Sequence, residues 1–398
     1  MTAEPADLGA RPPLIRALNE QLLLEQVRLR GPVSRAELVR ASGLSKPTVA
    51  MALSSLEQDA LVQTAGTRIG ARGRAAALYE LRRDAGFVVG LDVGREYIRG
   101  AVADLAGAVR ARESRRSTSG TGPGRVRELT RLADELVAAA GVRASESVVH
   151  TVVGSPGVLD QSRSALRMAA NLPGWERPGV LRELRRAFGD ELVVENDVDA
   201  AAIAERDHGH GRDVATFAFV SIGTGIGMGL VIDGALHRGA HGIAGEIGFL
   251  PLAANGADPA DVRRRGALEA SASSTAVVRA ARQAGMSEDV DARSVFAAAA
   301  AGDARAVRIV DAEAELVACA LASVVAVVDP ELIVLGGGIG RAPGLAEAVA
   351  EHLARLSPAV PEVRATALGD DAVVDGCIAV GTEELWQRVL RSRGALRG

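Results

Sequence analysis

Apolar side chains along residues 14–29 recur with the period of one helical face, at positions 14, 15, 18, 22 and 23, which predicts a first helix. Gly31 and the proline after it end this segment. Ser34 and Glu37 have the spacing of a capping box, so a second helix is expected to begin after Ser34. Gly43 can take the left-handed conformation that ends such a helix.

A third helix is predicted from Lys46 to about Gln58, with Ser45 as its N-cap and Pro47 tolerated in the first turn. Two helices joined by a short glycine turn are typical of a helix-turn-helix. The buried face of the third helix is expected to consist of Val49, Ala52, Leu53 and Leu56. The residues left to point outward, toward base edges and phosphates, are Ser45, Lys46, Thr48 and Ser55.

Residues 61–64 and 76–81 are predicted to be two strands, and the segment between them is rich in glycine and arginine. We interpret this hairpin as a basic wing whose Arg68, Arg72 and Arg74 lie along DNA phosphates or enter a minor groove. The alternative is a helical hairpin used only for protein contact, with solvated arginines. The glycine turn, the two caps, the polar start of the third helix and the basic wing together favour DNA.

The composition is that of a folded globular protein, with 48% hydrophobic and 24% charged residues, and 398 residues are enough for two or three domains. From Gln26 to Arg83 ten basic residues outnumber four acidic ones, so this segment carries +6 within a chain of net charge −4. A basic unit on an acidic remainder indicates a polyanionic partner for that unit, although the charge alone fits a solvated surface equally well.

Cysteine usage and hydropathy bear on location. The two cysteines, Cys319 and Cys377, provide no disulfide framework, which favours a reducing cytoplasm. The start of the sequence lacks the basic and apolar segments of a signal peptide. The most apolar segment, residues 318–328, is too short to span a bilayer. We therefore expect a cytoplasmic protein with no membrane partner.

After residue 85 the pattern changes to buried strands followed by glycine-rich turns. Three such segments cover residues 87–107, 219–234 and 329–340. Turns of this kind expose backbone N–H groups that can bind phosphate or permit the close approach of a ligand. One alone is weak evidence, since hairpins use glycine too. Three of them, distributed over two halves, predict a duplicated α/β fold with a cleft between two lobes.

Four motifs carry a resemblance to a known family. They are Val-Gly-Ser-Pro-Gly-Val-Leu-Asp (153–160), Asn-Leu-Pro-Gly-Trp (171–175), Val-Glu-Asn-Asp-Val-Asp-Ala-Ala-Ala (194–202) and Gly-Ile-Ala-Gly-Glu-Ile-Gly (242–248). Together with the glycine turns, their order and spacing resemble the sugar-kinase domain of the ROK family (repressors, open reading frames and kinases) from residue 86 to 390. The stretch Leu-Ser-Lys-Pro-Thr-Val (44–49) similarly resembles the recognition helix of ROK regulators.

The resemblance implies an α/β fold of two lobes, of the actin-like ATPase and sugar-kinase class, preceded by a small α+β winged helix-turn-helix domain. The implied domains are 1–84 for DNA binding and 85–398 for the effector. The first lobe would comprise about 85–198 plus a C-terminal helix at 382–398, and the second about 199–381. A sugar is expected in the cleft between them, at Asn171, Asn196, Asp197, Glu246 and Glu269.

Asp197 has two interpretations. In kinases of the family the matching aspartate takes the proton from the attacking sugar hydroxyl, so Asp197 would be the base if the protein were a kinase. The residues themselves place Asn196 and Asp197 after a predicted strand at 192–194 and at the start of a helix, where a carboxylate can accept hydrogen bonds from a polyol. The alternative is that Asp197 only caps this helix.

The first phosphate loop departs from the family pattern, which is Asp-x-Gly-Gly-Thr. This chain has Asp92-Val93-Gly94-Arg95-Glu96. Two like charges ~4 Å apart repel by about 4 kcal/mol at an effective dielectric constant near 20, so Glu96 opposes a polyphosphate. We therefore expect that no residue is catalytic and that ATP is not a cofactor. The vestigial nucleotide site would comprise Asp92, Gly94, Gly223, Thr224, Gly225 and Gly337.

The zinc knuckle of many family members is also missing. Phe249 stands at the position of its histidine, and its cysteine positions fall at about Ala260, Val262 and Ala267. None of these side chains can coordinate zinc, so no metal is expected. Because the lost histidine also contacts sugar in the family, Phe249 implies a less polar effector pocket. The histidines of this region are expected to be surface residues, namely His208, His210, His237 and His241.

The leading hypothesis is a homodimer or tetramer that represses carbohydrate-related genes by binding a pseudo-palindromic operator in double-stranded DNA. A sugar-like effector in the cleft would change the relative orientation of the DNA-binding units. One alternative is an ATP-dependent, glucokinase-like sugar kinase with an accessory DNA-binding domain, which the Arg95-Glu96 pair disfavours. Another is a scaffold whose cleft stays empty.

Overall fold

The computed structural model of the protein describes residues 12–69, 75–142, 148–160, 165–252 and 258–395. At the N-terminal end three helices pack on a small antiparallel sheet with the strand order β1-β3-β2. These elements are α1 (Pro12–Arg30), β1 (Val33–Ser34), α2 (Arg35–Ser42), α3 (Lys46–Gln58), β2 (Val62–Ile69) and β3 (Ala75–Leu81). They form a winged helix-turn-helix, as the sequence predicts.

Local capping explains where α2 and α3 begin. The backbone N–H of Ser34 donates to Glu37 Oε2 at 2.8 Å, and the backbone N–H of Glu37 donates to Ser34 Oγ at 3.3 Å, which completes the predicted capping box. Gly43 ends α2 with a φ of 70°. Ser45 caps α3 by accepting the backbone N–H of Thr48. Neighbouring residues alone therefore set both helices.

The predicted buried face of α3 is confirmed by the burial of Val49, Ala52, Leu53 and Leu56, but one outward residue of α3 and part of the predicted face of α1 are wrong. On α3, Ser55 is buried and Ser54 is exposed in its place. On α1 the apolar residues Ile15, Leu18 and Leu22 are exposed. The face of α1 that is buried consists of Ala17, Leu23, Leu24 and Val27. The reason is that α1 packs against α2, α3, β3 and the last helix of the chain, so the positions of these elements and not its own periodicity select its buried face.

The first lobe is built on a five-stranded mixed sheet with the strand order β10-β7-β4-β5-β6. Its strands are β4 (Gly86–Val93), β5 (Tyr97–Asp104), β6 (Val109–Arg116), β7 (Val148–Ser155) and β10 (Val193–Asn196). Apolar residues of α4 (Gly122–Ala139) and α5 (Val180–Phe188) cover one face of the sheet. The short hairpin of β8 (Val158–Asp160) and β9 (Ala165–Arg167) lies beside β10.

The second lobe has a five-stranded sheet with the strand order β13-β12-β11-β14-β15. Its strands are β11 (Phe217–Ile222), β12 (Ile226–Ile232), β13 (Ala235–Leu236), β14 (Leu332–Gly336) and β15 (Glu362–Ala365). Its helices are α7 (Pro259–Arg265), α8 (Ala267–Ala272), α9 (Ser274–Gln283), α10 (Ala292–Ala300), α11 (Ala304–Val328), α12 (Gly337–Gly340) and α13 (Leu345–Leu356). Neither α11, at 25 residues, nor any other helix in the described ranges is long and apolar enough to cross a membrane.

The two sheets repeat one topology. In the first lobe β4, β5 and β6 pair antiparallel, and β7 and β10 continue the sheet in parallel. In the second lobe β11, β12 and β13 pair antiparallel, and β14 and β15 continue in parallel. This repeat confirms the predicted duplicated α/β fold with two lobes.

Two helices connect the lobes. After β10, α6 (Asp197–His208) leads into the second lobe and packs against β11 and β12. After β15, α14 (Ala372–Ala395) returns to the first lobe and packs on β4, β5 and β7. The sequence predicts this helix from residue 382, and in the structure it begins ten residues earlier. The helix starts earlier because Val374 and Ile378 are already buried on the first sheet.

Replacing Ser34 with alanine is expected to lower the free energy of unfolding by about 1 kcal/mol, because the first turn of α2 loses its cap. Ser54→Ala, at an exposed site within α3, is the matched control and is expected to change stability by less than about 0.5 kcal/mol. Urea denaturation followed by circular dichroism measures both. Equal midpoints for the wild type and Ser34→Ala would mean that the cap adds no stability.

Candidate functional site

The candidate DNA-contacting surface is the start of α3. Ser45 and Lys46 are exposed, and Thr48 is half-buried. The hydroxyl groups of Ser45 and Thr48 lie 2.8 Å apart, so the N-cap fixes both side chains. Met51 is 62% exposed and extends this surface along the helix. The sequence analysis missed Met51, since no signal distinguishes an exposed methionine on a helix from one in the core.

Of the three predicted wing arginines, Arg68 lies within the described residues, whereas Arg72 and Arg74 lie outside them. Arg68 Nη1 donates to Glu37 Oε1 at 2.9 Å. Because Glu37 belongs to the capping box of α2, this ion pair connects the wing to the helix-turn-helix. Exposed ion pairs are worth about 1 kcal/mol or less, so a DNA phosphate can readily replace Glu37 as the partner of Arg68.

The predicted effector residues Asn196 and Asp197 lie where β10 meets α6. Asn196 caps α6, since its Oδ1 accepts the backbone N–H groups of Val198 and Asp199 at 2.9 and 3.0 Å. The Asn196 amide donates to the carbonyl of Gly157 at 3.0 Å. The N-cap of α6 is therefore Asn196, and Asp197 is the first residue of the helix. Its Oδ1 accepts the N–H of Val198 at 2.9 Å, and the carboxylate keeps further acceptor capacity for a ligand.

Asp197, Glu246 and Glu269 come from three different elements and influence one another. Burial raises the pKa of Asp197 to about 6, with a contribution from the charge of Glu269. Burial, followed by the charges of Asp197 and Glu269, raises the pKa of Glu246 to about 7. The fold therefore brings together the three carboxyl groups that the sequence analysis assigned to one pocket.

Glu269 is oriented by two donors. Arg265 Nε donates to Glu269 Oε1 at 2.7 Å, and the backbone N–H of Ile226 donates to Oε2 at 2.9 Å. Gly225 permits this arrangement, because a Cβ there would lie 2.8 Å from Glu269 Oε2 and 3.4 Å from Asn171 Nδ2. Asn171 and Glu269 thus approach each other at the second glycine turn, where predicted effector and nucleotide residues meet.

Three further charged residues of this region escaped the sequence analysis. Arg238 forms an ion pair with Glu195. Burial, followed by the charge of Glu195, raises the pKa of Asp199 to about 7. Glu195 and Asp199 belong to the motif at 194–202, so the sequence contained a signal for them. Arg238 is 43 residues from Glu195 along the chain, and only the fold brings it there.

A small cavity lies beside Asn196, Asp199 and Glu246. Its volume is about 20 Å³, which is room for a single water molecule. The loop at 238–246 contributes Gly242 and Glu246 to its lining, which includes neither Asp197 nor Glu269. Gly242 of this loop approaches the first lobe, since a Cβ there would lie 3.4 Å from Val158 Cγ1. The cavity is lined by residues that include Asn196, Asp199, Met228 and Glu246.

A larger cavity of about 310 Å³ lies elsewhere, at the edge strand β15. Its lining includes His210, Arg341, Pro343 and Arg364. It contains none of the cleft carboxyl groups. We assign the effector site by the chemistry of the converging side chains and not by volume, since polar groups that converge in a cleft are what fix the orientation of a ligand.

Asp92, at the first glycine turn, is buried and bound to an arginine. Arg99 Nη1 donates to Asp92 Oδ2 at 3.1 Å, and Arg99 Nη2 lies 3.9 Å from Asp370 Oδ2. Asp370 in turn forms an ion pair with Arg341 of the second lobe. Burial raises the pKa of Asp92 to about 7, although Arg99 opposes this shift. A chain of ion pairs therefore runs from the first phosphate loop across to the second lobe.

The other predicted nucleotide residues have protein partners as well. Arg341 Nε donates to the carbonyl of Gly337 at 3.4 Å, at the third glycine turn. In the second turn, between Gly223 and Gly225, the carbonyl of Thr224 accepts a hydrogen bond from Arg265. At the first turn Gly94 is followed by two exposed residues, 95 and 96, which the sequence analysis held responsible for loss of the nucleotide. The buried partner of Asp92 is Arg99, which that analysis missed.

The positions of the missing zinc knuckle lie in or near short helices. Phe249 ends a 3-10 turn (Ile247–Phe249), and the other three positions, 260, 262 and 267, fall in α7 and α8. In the part of the chain that the structure describes, no group of three His, Cys, Asp or Glu side chains could hold a metal ion. The absence of zinc remains a prediction. His208, His237 and His241 are exposed, as expected, and His210 is half-buried.

Comparison with known proteins gives three findings. A model of the ROK family matches residues 88–384. The chain is 29% identical to a glucokinase from Thermotoga maritima over 258 residues, which are 60% of this chain and 81% of the relative. It is 25% identical to a putative xylose repressor from Caldicellulosiruptor sp. (strain Rt8B.4) over 387 residues, which are 92% of this chain and 96% of the relative.

Among solved structures, that of a ROK family transcriptional regulator, a homologue of the E. coli MLC protein, is similar over nearly the whole chain. The TM-score is 0.74 at 23% identity, and the match covers 96% of this chain and 99% of that one. At this identity the likeness shows a shared fold, which includes the N-terminal unit and both lobes.

Replacing Glu246 with glutamine is expected to stabilise the protein in alkaline but not in acidic solution. A carboxyl group whose pKa is raised by folding contributes stability below its unfolded-state pKa, and this contribution is lost as the pH rises through the folded-state value, about 7 here. Glutamine removes that loss. We expect a melting temperature about 2–4 °C above wild type at about pH 8.5 and no difference at about pH 4, below the unfolded-state pKa of 4.5.

Glu351→Gln, on the exposed side of α13, is the matched control for this experiment and should change the melting temperature at neither pH. Differential scanning fluorimetry in a series of buffers provides the measurement. A gain of equal size at both pH values would contradict the burial of an ionised Glu246.

Proposed function

The chain belongs to the ROK family, and on this basis we propose that it is a DNA-binding transcriptional regulator. It represses carbohydrate-related genes and responds to a sugar or sugar-derived effector held between its lobes. One observation carries the proposal: a winged helix-turn-helix with an exposed Ser45-Lys46 start to α3 precedes a two-lobed domain whose carboxyl groups converge on a cleft. The similarity to the relative named as a putative xylose repressor spans both parts.

The effector is assigned from the carboxyl groups of the cleft. Asp197 and Glu246 have raised pKa values because they are poorly solvated, and the hydroxyl groups of a polyol can satisfy such acceptors. Phe249 lies three residues after Glu246 in the sequence. It is 46% exposed and adds apolar surface to this region. Neutral pentoses and hexoses are the first class to test, and the names of the relatives put D-xylose and D-glucose first among them.

We further propose that the protein is not a kinase and binds neither ATP nor zinc. Asp92 has Arg99 as its counter-ion, so the acidic side chain of the first phosphate turn is already engaged by the protein itself. The second candidate, a sugar kinase, is favoured by the identity to a glucokinase and by the retained Asp197. Incubation with ATP and either D-glucose or D-xylose is expected to release no ADP, and turnover would establish the kinase instead.

The proposed assembly is a two-fold symmetric dimer, or a tetramer made of two dimers, bound to double-stranded operator DNA. Two-fold symmetry places the half-sites about 10 base pairs apart, or a multiple of that. Because the proposed partner is chromosomal DNA, we expect the protein to be located in the cytoplasm. Genome-wide mapping of the bound sites supplies the operator sequence and the regulated genes, and an absence of enriched sites would refute the regulator.

Lys46 is the only lysine in the sequence, so acetylation of its amine reports on the start of α3 alone. We expect operator DNA to protect Lys46, because the ammonium group would be covered by a phosphate or a base edge. Peptide mass spectrometry measures the acetylation rate, with a duplex of scrambled sequence as control. Lys46→Ala should also lower the salt dependence of binding by about 1 unit of slope for each half-site, which is about 2 for the proposed dimer. If operator DNA left the acetylation rate of Lys46 unchanged, the start of α3 would not lie at the DNA interface.

Asp197→Asn is expected to abolish the response to the effector while DNA binding without effector stays at the wild-type level. The amide keeps the volume of the side chain but loses the charged acceptor that the sugar hydroxyl needs. Asp233→Asn, an exposed aspartate after β12 with a φ of 51°, is the control, since asparagine tolerates this conformation. Fluorescence anisotropy with labelled operator measures both variants, and a normal response of Asp197→Asn would refute the pocket.

A further inference from the structure

The last helix, α14, contacts the helix that begins at the effector cleft and also the DNA-binding unit. Its 24 residues extend about 36 Å at 1.5 Å per residue. It packs against α6 and against the first sheet, and it also reaches α1.

Trp386 is at the centre of the contact between α14 and α1. The indole is fully buried, and its Nε1–H donates to Glu25 Oε2 at 2.9 Å. The guanidinium carbon of Arg28 lies 4.7 Å from the centroid of the Trp386 ring. Further along, Gln21 Nε2 donates to the carbonyl of Leu390 at 2.7 Å. Buried tryptophans with both polar and apolar partners are typical of the residues that dominate an interface.

Apolar side chains continue this contact into the first lobe. A single hydrophobic cluster contains residues of α1, of α3, of the first sheet and of α14. Its members include Leu23, Leu24, Leu53, Val88, Ala101, Ile378, Leu385 and Trp386. Domains that move independently usually meet at polar, loosely packed interfaces. Here the DNA-binding unit and the first lobe share one core and are expected to move together.

The second lobe is attached differently. Its strands pack on α6, and α6 crosses α14 at Gly376, where a Cβ would lie 1.8 Å from the carbonyl oxygen of Ala200. The two helices therefore meet backbone to backbone at this point, with no side chain of residue 376 to lock them. Packed helices can slide or rotate past each other by small amounts during the closure of a cleft. Because α6 begins at Asp197, a ligand of that residue acts directly on this crossing.

We propose that the DNA-binding unit and the first lobe form one rigid body fastened by Trp386, and that the second lobe turns against this body where α6 crosses α14. The regulatory meaning rests on the proposed function. An effector that closes the cleft then changes the angle between the DNA-binding unit and the second lobe. If the contact at Trp386 were loose, closure would leave the DNA-binding unit behind.

The rigid body is tested without any ligand, by native-state hydrogen exchange of the full chain. In Trp386→Phe, which removes the hydrogen bond to Glu25, the protection of the α1 amides is expected to fall about tenfold. Trp175→Phe is the matched control, because Trp175 is equally buried in the first lobe and donates to Ser155 Oγ at 2.8 Å. It should leave α1 protected as in the wild type. Unchanged protection of α1 in Trp386→Phe would overturn the proposal.

A second variant guards against misfolding of the first. Glu25→Ala removes the acceptor of the same hydrogen bond and is expected to reduce the protection of α1 to a similar extent. The double variant should then be no worse than either single variant, since both remove one shared interaction. Fully additive losses would mean that Trp386 and Glu25 act separately and would contradict a single joint.

The coupling is tested with labelled operator and saturating D-xylose or D-glucose. We expect Trp386→Phe to bind operator and sugar as the wild type does, while the sugar-induced change in operator affinity shrinks toward onefold. A full response in this variant would refute the coupling. If the wild type responded to neither sugar, the proposed effector class would be wrong. The hydrogen-exchange experiment would still test whether Trp386 fastens the DNA-binding unit to the first lobe.

Discussion

The structure depends on the return of the chain to its first lobe in α14. This helix buries Val374, Ile378 and Leu385 on the first sheet and closes the hydrophobic cluster that the N-terminal helices share. Gly381 permits the close approach, because a Cβ there would lie 2.4 Å from Val88 Cγ1. Without α14, the outer face of the sheet and the inner face of α1 would both expose apolar surface to water.

The carboxyl groups of the cleft lower the stability of the protein. Several carboxyl groups are held close together and away from solvent, and burial together with mutual repulsion raises their pKa values. Arg238 and Arg265 form ion pairs with Glu195 and Glu269. Asp197 and Glu246 are left as poorly solvated acceptors, which is the condition that a ligand rich in hydroxyl groups relieves. These poorly solvated carboxyl groups lower the stability of the protein without a ligand. Under the proposed function, hydrogen bonds from the effector to these groups favour its binding.

On the phosphate side the situation is reversed. Asp92, Arg99, Asp370 and Arg341 neutralise one another in a chain from one lobe to the other. In a nucleotide-binding cleft, a metal ion and phosphates would bridge the lobes at such turns. Here side chains of the protein supply both signs of charge, and under the proposed function the sugar side stays in use while the nucleotide side has no role.

The sequence by itself determined the features that depend on near neighbours: the caps at Ser34 and Ser45, the glycine turn at Gly43, the repeated strands with their glycine turns, and the carboxyl groups of the motifs. Only the tertiary structure decided that Ser55 faces inward, that Arg238 reaches Glu195, and that Arg99 binds Asp92. Caps and turns are set by interactions within four residues, so they are visible in the sequence. Ion pairs and shared cores join residues hundreds of positions apart, and their partners are chosen only when whole helices and sheets pack.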